Sequence, residues 1–259
     1  MPASLKLQEK YGDDVAVLFV ESQGATAEVM ESFALSRRWL GGRGLWTTEA
    51  PFRAAGNSLP KAVLLSSRGE VLLSGNPLSM KRRIEDLIDD DLRAARRPPA
   101  DLPSSLTTAW KRFQKGEYAK ALEDAAELAA KADHRDAGAA EALLAEFRQA
   151  VEGKLGRVEF QIENGYPLEA VEAVDELLDG LKGSGEFLTR AQALESRLES
   201  EEMKPELDAA RALAKLEKKL FDDGGGSRYV KKLEKLAEQY AGTRSAERAR
   251  HLARVVERA

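Results

Sequence analysis

The sequence contains no cysteine and only two histidines. Without cysteine the chain cannot form disulfide bonds, carry out thiol chemistry or bind a metal through sulfur. His134 and His251 have no partner at the spacing of a metal site, so we expect both to be solvent-exposed. Neither histidine adjoins a Gly-x-Ser-x-Gly motif, which leaves no basis for a serine hydrolase triad. The sequence therefore predicts no metal, no cofactor and no enzyme active site.

Long apolar runs and an excess of one charge are also missing. No run approaches the roughly 18 apolar residues that cross a bilayer. The first four residues lack the basic-then-apolar pattern of a secretory signal. The 40 basic and 44 acidic residues are interleaved and give a net charge of −4, which favours solvated helix faces over a nucleic-acid surface. We expect a soluble protein with no membrane span and no nucleic-acid partner, cytoplasmic unless a signal peptide lies upstream.

Residues 58–75 carry the clearest local pattern. Two short apolar runs, 62–65 and 71–73, flank a turn that contains Gly69, and this arrangement predicts a β-hairpin. Pro60 fits the first position of the first strand because it cannot donate a ladder hydrogen bond.

The rest of the first hundred residues alternates between strand and helix patterns. The nearly continuous apolar run at 14–21 predicts a strand buried on both faces. The other predicted elements are helices at 4–11, 25–38 and 78–94, a short strand at 45–48 and one helical turn at 51–55.

This order of elements resembles the thioredoxin-like fold over residues 4–94, and most closely its exported thiol oxidoreductases. The residues that carry the resemblance are 15–20, Leu59-Pro60, 62–65, Gly69 and Gly75. The resemblance implies that Leu59-Pro60 is the family's cis-proline bond, which lies beside a peptide-binding face. From the residues alone, a trans proline that opens an edge strand is the alternative.

The chain departs from this family at its active site. The family's Cys-x-x-Cys would fall within residues 22–27, which contain no cysteine, so dithiol exchange is impossible here. In a second alignment, residues 6–11 are the tail of the cysteine-bearing helix and the active site lies upstream. In the first alignment the resemblance implies a retained peptide-binding site at Gln23, Gly24, Trp46, Ser58, Leu59 and Pro60. Trp39, Trp46 and Phe52 could add an apolar patch or simply pack in the core.

Three prolines within residues 95–104 predict a linker between two domains, residues 1–94 and 105–259. The second domain is rich in helix-forming residues and carries no strand pattern. We expect long helices at 137–164 and 186–221, the second kinked or divided at Pro205.

A weak internal repeat runs through this second domain. Gly116, Tyr118 and Ala121 recur as Gly165, Pro167 and Ala170, and more loosely within residues 220–233. The first copy resembles the tetratricopeptide repeat, although the copies lie about 50 to 60 residues apart rather than 34. Such stacked helix pairs form grooves that hold a peptide or a partner's helix; alternatively, the helices here only pack on one another.

Two further motifs favour ordinary structure. Asp89–Asp91 is typical of a solvated helix end, and the glycine-rich residues 222–227 are typical of an interhelical loop rather than a phosphate site.

The sequence thus predicts α/β plus all-α architecture, with a thioredoxin-like domain followed by a tetratricopeptide-like helical domain. The predicted function is a cysteine-free, redox-inactive scaffold for a protein or peptide partner. One alternative is a protein related to thiol-disulfide oxidoreductases whose Cys-x-x-Cys segment is missing or supplied by a partner, and another is a structural assembly subunit. The resemblance to exported bacterial proteins would imply a periplasmic location if a signal peptide lies upstream.

Overall fold

The structure is a computed structural model that describes residues 3–21, 23–37, 39, 45–49 and 59–259. Over this part of the chain the protein is mostly helical, with eleven α-helices and two two-stranded sheets. This agrees with the coarse prediction of mixed α/β and all-α structure. None of the described helices combines the length and the apolar character that crossing a membrane requires.

The chain divides into two compact units. The first comprises residues 1–97, 216–232 and 251–259, and the second comprises residues 98–215 and 233–250. The first boundary lies within the proline-rich segment 95–104. Residues 216–232 and 251–259, which the sequence analysis assigns to the helical domain, cluster with the first unit instead.

The first unit contains all four described strands. Its elements are α1 (Ala3–Tyr11), β1 (Leu18–Val20), α2 (Ala27–Ser36), β2 (Leu45–Thr47), β3 (Ala62–Leu65), β4 (Val71–Gly75) and α3 (Lys81–Ala95). Strands β1 and β2 pair in parallel, with Phe19 opposite Trp46, so β1, α2 and β2 form a βαβ unit.

The predicted hairpin is confirmed. Strands β3 and β4 pair antiparallel, with Ala62 opposite Gly75 and an irregularity at Leu65. Gly69 in the connecting turn has φ = +81°, a conformation that glycine adopts without steric cost. The turn is held to α3 because the Ser67 N–H donates to Asp91 at 2.8 Å. The expected turn at 51–55 lies outside the described residues.

The prediction of a strand buried on both faces at 14–21 is wrong. Strand β1 spans three residues, and the side chains of Leu18 and Val20 are 46% and 39% exposed. A continuous apolar run indicates burial on both faces only if elements cover both faces. In the described structure, the face that carries Leu18 and Val20 stays half open.

Helix α1 is joined to α3 by a network around Tyr11. Its hydroxyl donates to Asp89 Oδ1 at 2.8 Å and accepts from Lys10 Nζ at 3.0 Å, and Lys10 also donates to Glu85 at 3.0 Å. Burial, reinforced by the Asp89 carboxylate, raises the pKa of Tyr11. Asp89 and Asp91 therefore fix neighbouring elements, whereas the sequence suggested only a solvated helix end.

The second unit is entirely helical over the described residues. It contains α4 (Thr107–Gln114), α5 (Tyr118–Ala129), α6 (Ala137–Glu163), α7 (Pro167–Gly180) and α8 (Gly185–Glu199). Helices α9 (Lys204–Asp223), α10 (Val230–Gln239) and α11 (Arg244–Arg258) each have residues in both units. The predicted helix at 137–164 is confirmed, and the predicted helix at 186–221 is divided into α8 and α9. Pro205 lies in the first turn of α9, where its missing N–H costs no helical hydrogen bond.

The core of the second unit follows the periodicity of α6. Val151, Leu155, Val158 and Ile162 recur every three or four residues and are buried. Nearby, the rings of Phe113 and Phe147 stack with centroids 4.1 Å apart. The long helix α6 therefore supplies a continuous apolar stripe against which the shorter helices pack.

The predicted helix–glycine–helix pattern is present in the first two copies. Helix α4 packs on α5 and helix α6 on α7, with Gly116 (φ = +80°) and Gly165 (φ = +77°) in the connecting turns. Ala121 and Ala170 are both fully buried, which agrees with a role in close helix packing.

A buried carboxylate fixes the start of α11 in the second unit. Glu206, in the first turn of α9, is 8% exposed. Its oxygens accept hydrogen bonds from the N–H of Arg244 at 2.7 Å, the N–H of Ser245 at 2.8 Å and the hydroxyl of Ser245 at 2.6 Å. Glu206 thereby satisfies N–H groups that have no partner within the helix.

Candidate functional site

The loop at the predicted peptide-binding site is bonded to an acidic side chain. Gln23 and Gly24 are exposed. The N–H groups of Gln23, Gly24 and Ala25 donate to the carboxylate of Glu21 at 2.6, 2.9 and 3.0 Å. Sequence reasoning missed Glu21, although an acidic residue between a strand and a helix start was a usable signal. The backbone N–H donors of this loop are therefore already paired with the Glu21 carboxylate.

The other described residues of the predicted site belong to different elements of the first unit. Trp46 is in β2, Leu59 and Pro60 are exposed just before β3, and Ser58 lies outside the described residues. The Leu59-Pro60 bond is cis, as the resemblance implies. No hydrogen bond or ring contact in the described structure joins Gln23 and Gly24 to Leu59 and Pro60.

An aromatic cluster lies between β1 and α2. The Trp39 ring stacks on Phe19 at 6.0 Å and meets the Phe33 ring edge-on at 5.3 Å. The Arg37 guanidinium lies 5.3 Å from the Phe33 ring centroid, within cation–π distance. Because Phe33 is 45% and Val29 50% exposed, α2 presents an apolar strip at its surface. Trp39 thus packs against neighbouring rings and also lies at the edge of an exposed apolar patch, which combines the two roles that the sequence suggests for it. Phe52 lies outside the described residues.

The second unit contains an open groove of about 590 Å³ that sequence reasoning did not locate. It is formed by α5, α6 and the beginning of α8. Its apolar lining comes from Leu122, Ala126, Leu144 and Phe187. The charged groups around it are Lys120, Glu123, Arg148, Glu152, Lys182 and Glu186. An apolar lining with charges of both signs at its edge is typical of a protein-recognition surface.

One polar atom in this groove has no partner. Ser184 is the N-cap residue of α8, yet its side chain makes no capping hydrogen bond. Its Oγ is buried and has no hydrogen-bond partner in the described structure. Buried polar atoms are almost always paired in native proteins, so an unpaired hydroxyl is an unusual feature beside this groove.

An ion pair fixes the α6–α8 side of the groove. The Arg190 guanidinium donates to both oxygens of Glu152, at 2.7 and 2.6 Å, and its other terminal nitrogen lies 3.8 Å from Glu159. The hydrogen bond to Glu152 raises the pKa of Arg190. Glu152 is therefore held in place at the groove rather than free to turn towards solvent.

The two histidines, expected to be solvent-exposed, are partly exposed, and each has a hydrogen-bond partner. Both are half-buried: His134 Nδ1 accepts from the Asp136 N–H at 3.1 Å, and His251 Nε2 pairs with the carboxylate of Glu31. Glu31 lies 220 residues before His251, so no local spacing could reveal the pair. Over the described residues, no three or more potential metal ligands lie close enough to hold an ion.

The glycine-rich loop at 222–227 is an interhelical connection. Asp223, at its start, pairs with Arg228 and with the hydroxyl of Tyr229. The hydrogen bond to the Asp223 carboxylate, together with burial, raises the pKa of Tyr229. The loop is thus stabilised by its own side chains.

Comparisons of the chain with models of known protein families, with curated proteins and with solved structures found no match.

Proposed function

We propose that this chain is a non-catalytic scaffold that binds a peptide or a segment of a partner protein. The groove of the second unit carries the proposal, because it combines an apolar lining with a charged edge and an unpaired buried hydroxyl at Ser184. An extended peptide could bury an apolar side chain there.

The thioredoxin-like and tetratricopeptide-like descriptions are part of this proposal. The βαβ arrangement of β1, α2 and β2 followed by a hairpin supports the first. The helix pairs with glycine turns and buried alanines support the second. In this view the first unit keeps the family's framework without its thiols, and the residues that the resemblance assigns to peptide binding, Gln23, Gly24, Trp46, Leu59 and Pro60, are candidate contacts for a partner.

Selection from a displayed peptide library on the purified chain tests the groove. We expect enriched peptides to bind with a Kd near the micromolar range, measured by fluorescence anisotropy. Ala126 is half-buried and lines the groove, so Ala126→Arg places a long side chain across it and should weaken binding at least about tenfold, or about 1.4 kcal/mol.

Ala142→Arg is the matched control, since Ala142 is exposed on α6 and does not line the groove. We expect it to bind like the unmodified chain. Failure to enrich any peptide, or equal binding by the two variants, would contradict the groove's role. The chain should also show no insulin disulfide reduction, and measurable turnover would show that a non-catalytic description is wrong.

A further inference from the structure

Residues 251–259, called here the α11 clasp, meet α2 through charges of opposite sign within the first unit. The carboxylate of Glu28 lies 2.7 Å from Arg258 Nη1 and 3.5 Å from Arg254 Nε. One turn further along α2, Glu31 pairs with His251. Two acidic residues of α2 are thus paired with three basic residues of the clasp.

The two helix ends also suit these charges. Glu28 lies in the first turn of α2, where the helix dipole favours an anion. Arg258 lies in the last turn of α11, where the dipole favours a cation. Each helix dipole therefore stabilises the charge that its own helix contributes to the ion pair.

A buried hydrogen bond aligns the two helices. The Ser32 hydroxyl lies 3.0 Å from the Val255 carbonyl oxygen and 2.8 Å from the Glu28 carbonyl oxygen, and its single proton serves both. Val255 lies in the last turn of α11, so its carbonyl oxygen has no N–H partner within the helix. Ser32 is 6% exposed, and Leu35, on the same side of α2, is fully buried.

We propose that the α11 clasp is an ionic strap. Its ion pairs hold it against α2, and it detaches from α2 when salt screens its charges. The side chains of Arg254 and Arg258 are 54% and 53% exposed, so salt reaches them. The ionisable side chains in these two segments are Glu28 and Glu31 of α2 and His251, Arg254, Glu257 and Arg258 of the clasp. Loosening would break the Ser32 hydrogen bond to Val255 and free α2, whose start follows the loop that carries Gln23 and Gly24.

Hydrogen exchange of the full chain, followed by mass spectrometry, tests the strap. Between about 0.05 M and about 1 M NaCl, we expect α2 and the clasp to exchange roughly fivefold faster, while α6 changes little. Arg254→Gln combined with Arg258→Gln should produce the faster exchange already at low salt and remove the salt response. Arg93→Gln, which breaks an exposed ion pair with Asp90 in α3, is the matched control and should leave α2 unchanged.

Charge exchange separates an ionic strap from simple loss of stability. Glu28→Arg alone should speed exchange in α2, and adding Arg258→Glu should restore part of the protection, because the new pair attracts although each reversed charge opposes the dipole of its own helix. The proposal is overturned if salt affects α2 and α6 equally, if neutralising both arginines leaves α2 protected, or if the charge exchange gives no recovery. The salt experiment on the unmodified chain decides the question even if a variant fails to fold.

Discussion

Gly180→Ala should destabilise the second unit, because the end of α7 touches the turn between α4 and α5. A Cβ at residue 180 would lie 2.2 Å from the carbonyl oxygen of Gly116 and 2.5 Å from Tyr118 Cδ2. The carbonyl is backbone and cannot rotate away. The Tyr118 ring is held against Phe113, with centroids 5.1 Å apart. The added methyl group must therefore push α7 away from the turn.

The expected magnitude combines two opposing effects. Overpacking of a filled site costs about 1–3 kcal/mol, and a backbone obstacle places this site at the upper end. The better helix propensity of alanine returns at most about 1 kcal/mol. We expect a net loss of about 2 kcal/mol, or a fall in Tm of about 4–8 °C for a chain of this size.

Gly156→Ala makes the same chemical change where nothing obstructs it. Gly156 is exposed within α6, and no atom lies within 4 Å of its added Cβ. We expect stabilisation by about 0.5–1 kcal/mol and a small rise in Tm. Thermal unfolding followed by far-UV circular dichroism compares the two variants. If Gly180→Ala raised Tm as Gly156→Ala does, the close approach of α7 to the α4–α5 turn would be refuted.

Two further perturbations test buried polar groups. Glu206→Ala removes the acceptor for Arg244 and Ser245, and each buried donor left unpaired costs about 1–3 kcal/mol, so these amides should exchange with solvent roughly 100-fold faster. Glu206→Gln keeps one acceptor and should show a smaller effect. Unchanged exchange in both variants would contradict the capping role. The raised pKa values of Tyr11 and Tyr229 mean that the folded chain holds these protons longer than the unfolded chain, so stability should fall as pH rises above about 10. Absorbance titration of the folded chain should show a late-ionising component from these two tyrosines. Tyr11→Phe and Tyr229→Phe should each reduce that late component, and a titration that neither substitution changes in this way would count against both hydrogen-bonded networks.

Local patterns predicted the elements that depend on local chemistry. The hairpin follows from two short apolar runs around Gly69, and α6 follows from apolar residues at a helical period. Strand β1 shows the limit of this reasoning. Its apolar run gave the strand itself, but the exposure of Leu18 and Val20 depends on which elements lie above it. That information is not contained in the run.

The groove and the α11 clasp depend on contacts between distant residues. His251 and Glu31 could each have paired with many charged residues, since about a third of the chain is charged. Only the folded structure selects the pair. The same holds for Ser184, whose unpaired hydroxyl becomes meaningful once α5 and α6 form the surface beside it.

Two glutamates that accept hydrogen bonds from backbone N–H groups separate what a sequence can reveal from what it cannot. Glu21 lies five residues before the N-cap residue Thr26, and its contacts span four residues, so an acidic residue before a helix was a readable signal. Glu206 lies 38 residues from the amide of Arg244. Its local sequence marks it as an ordinary acidic residue in the first turn of α9. Its role arises because the start of α11 packs beside α9, which brings two backbone donors to one buried carboxylate.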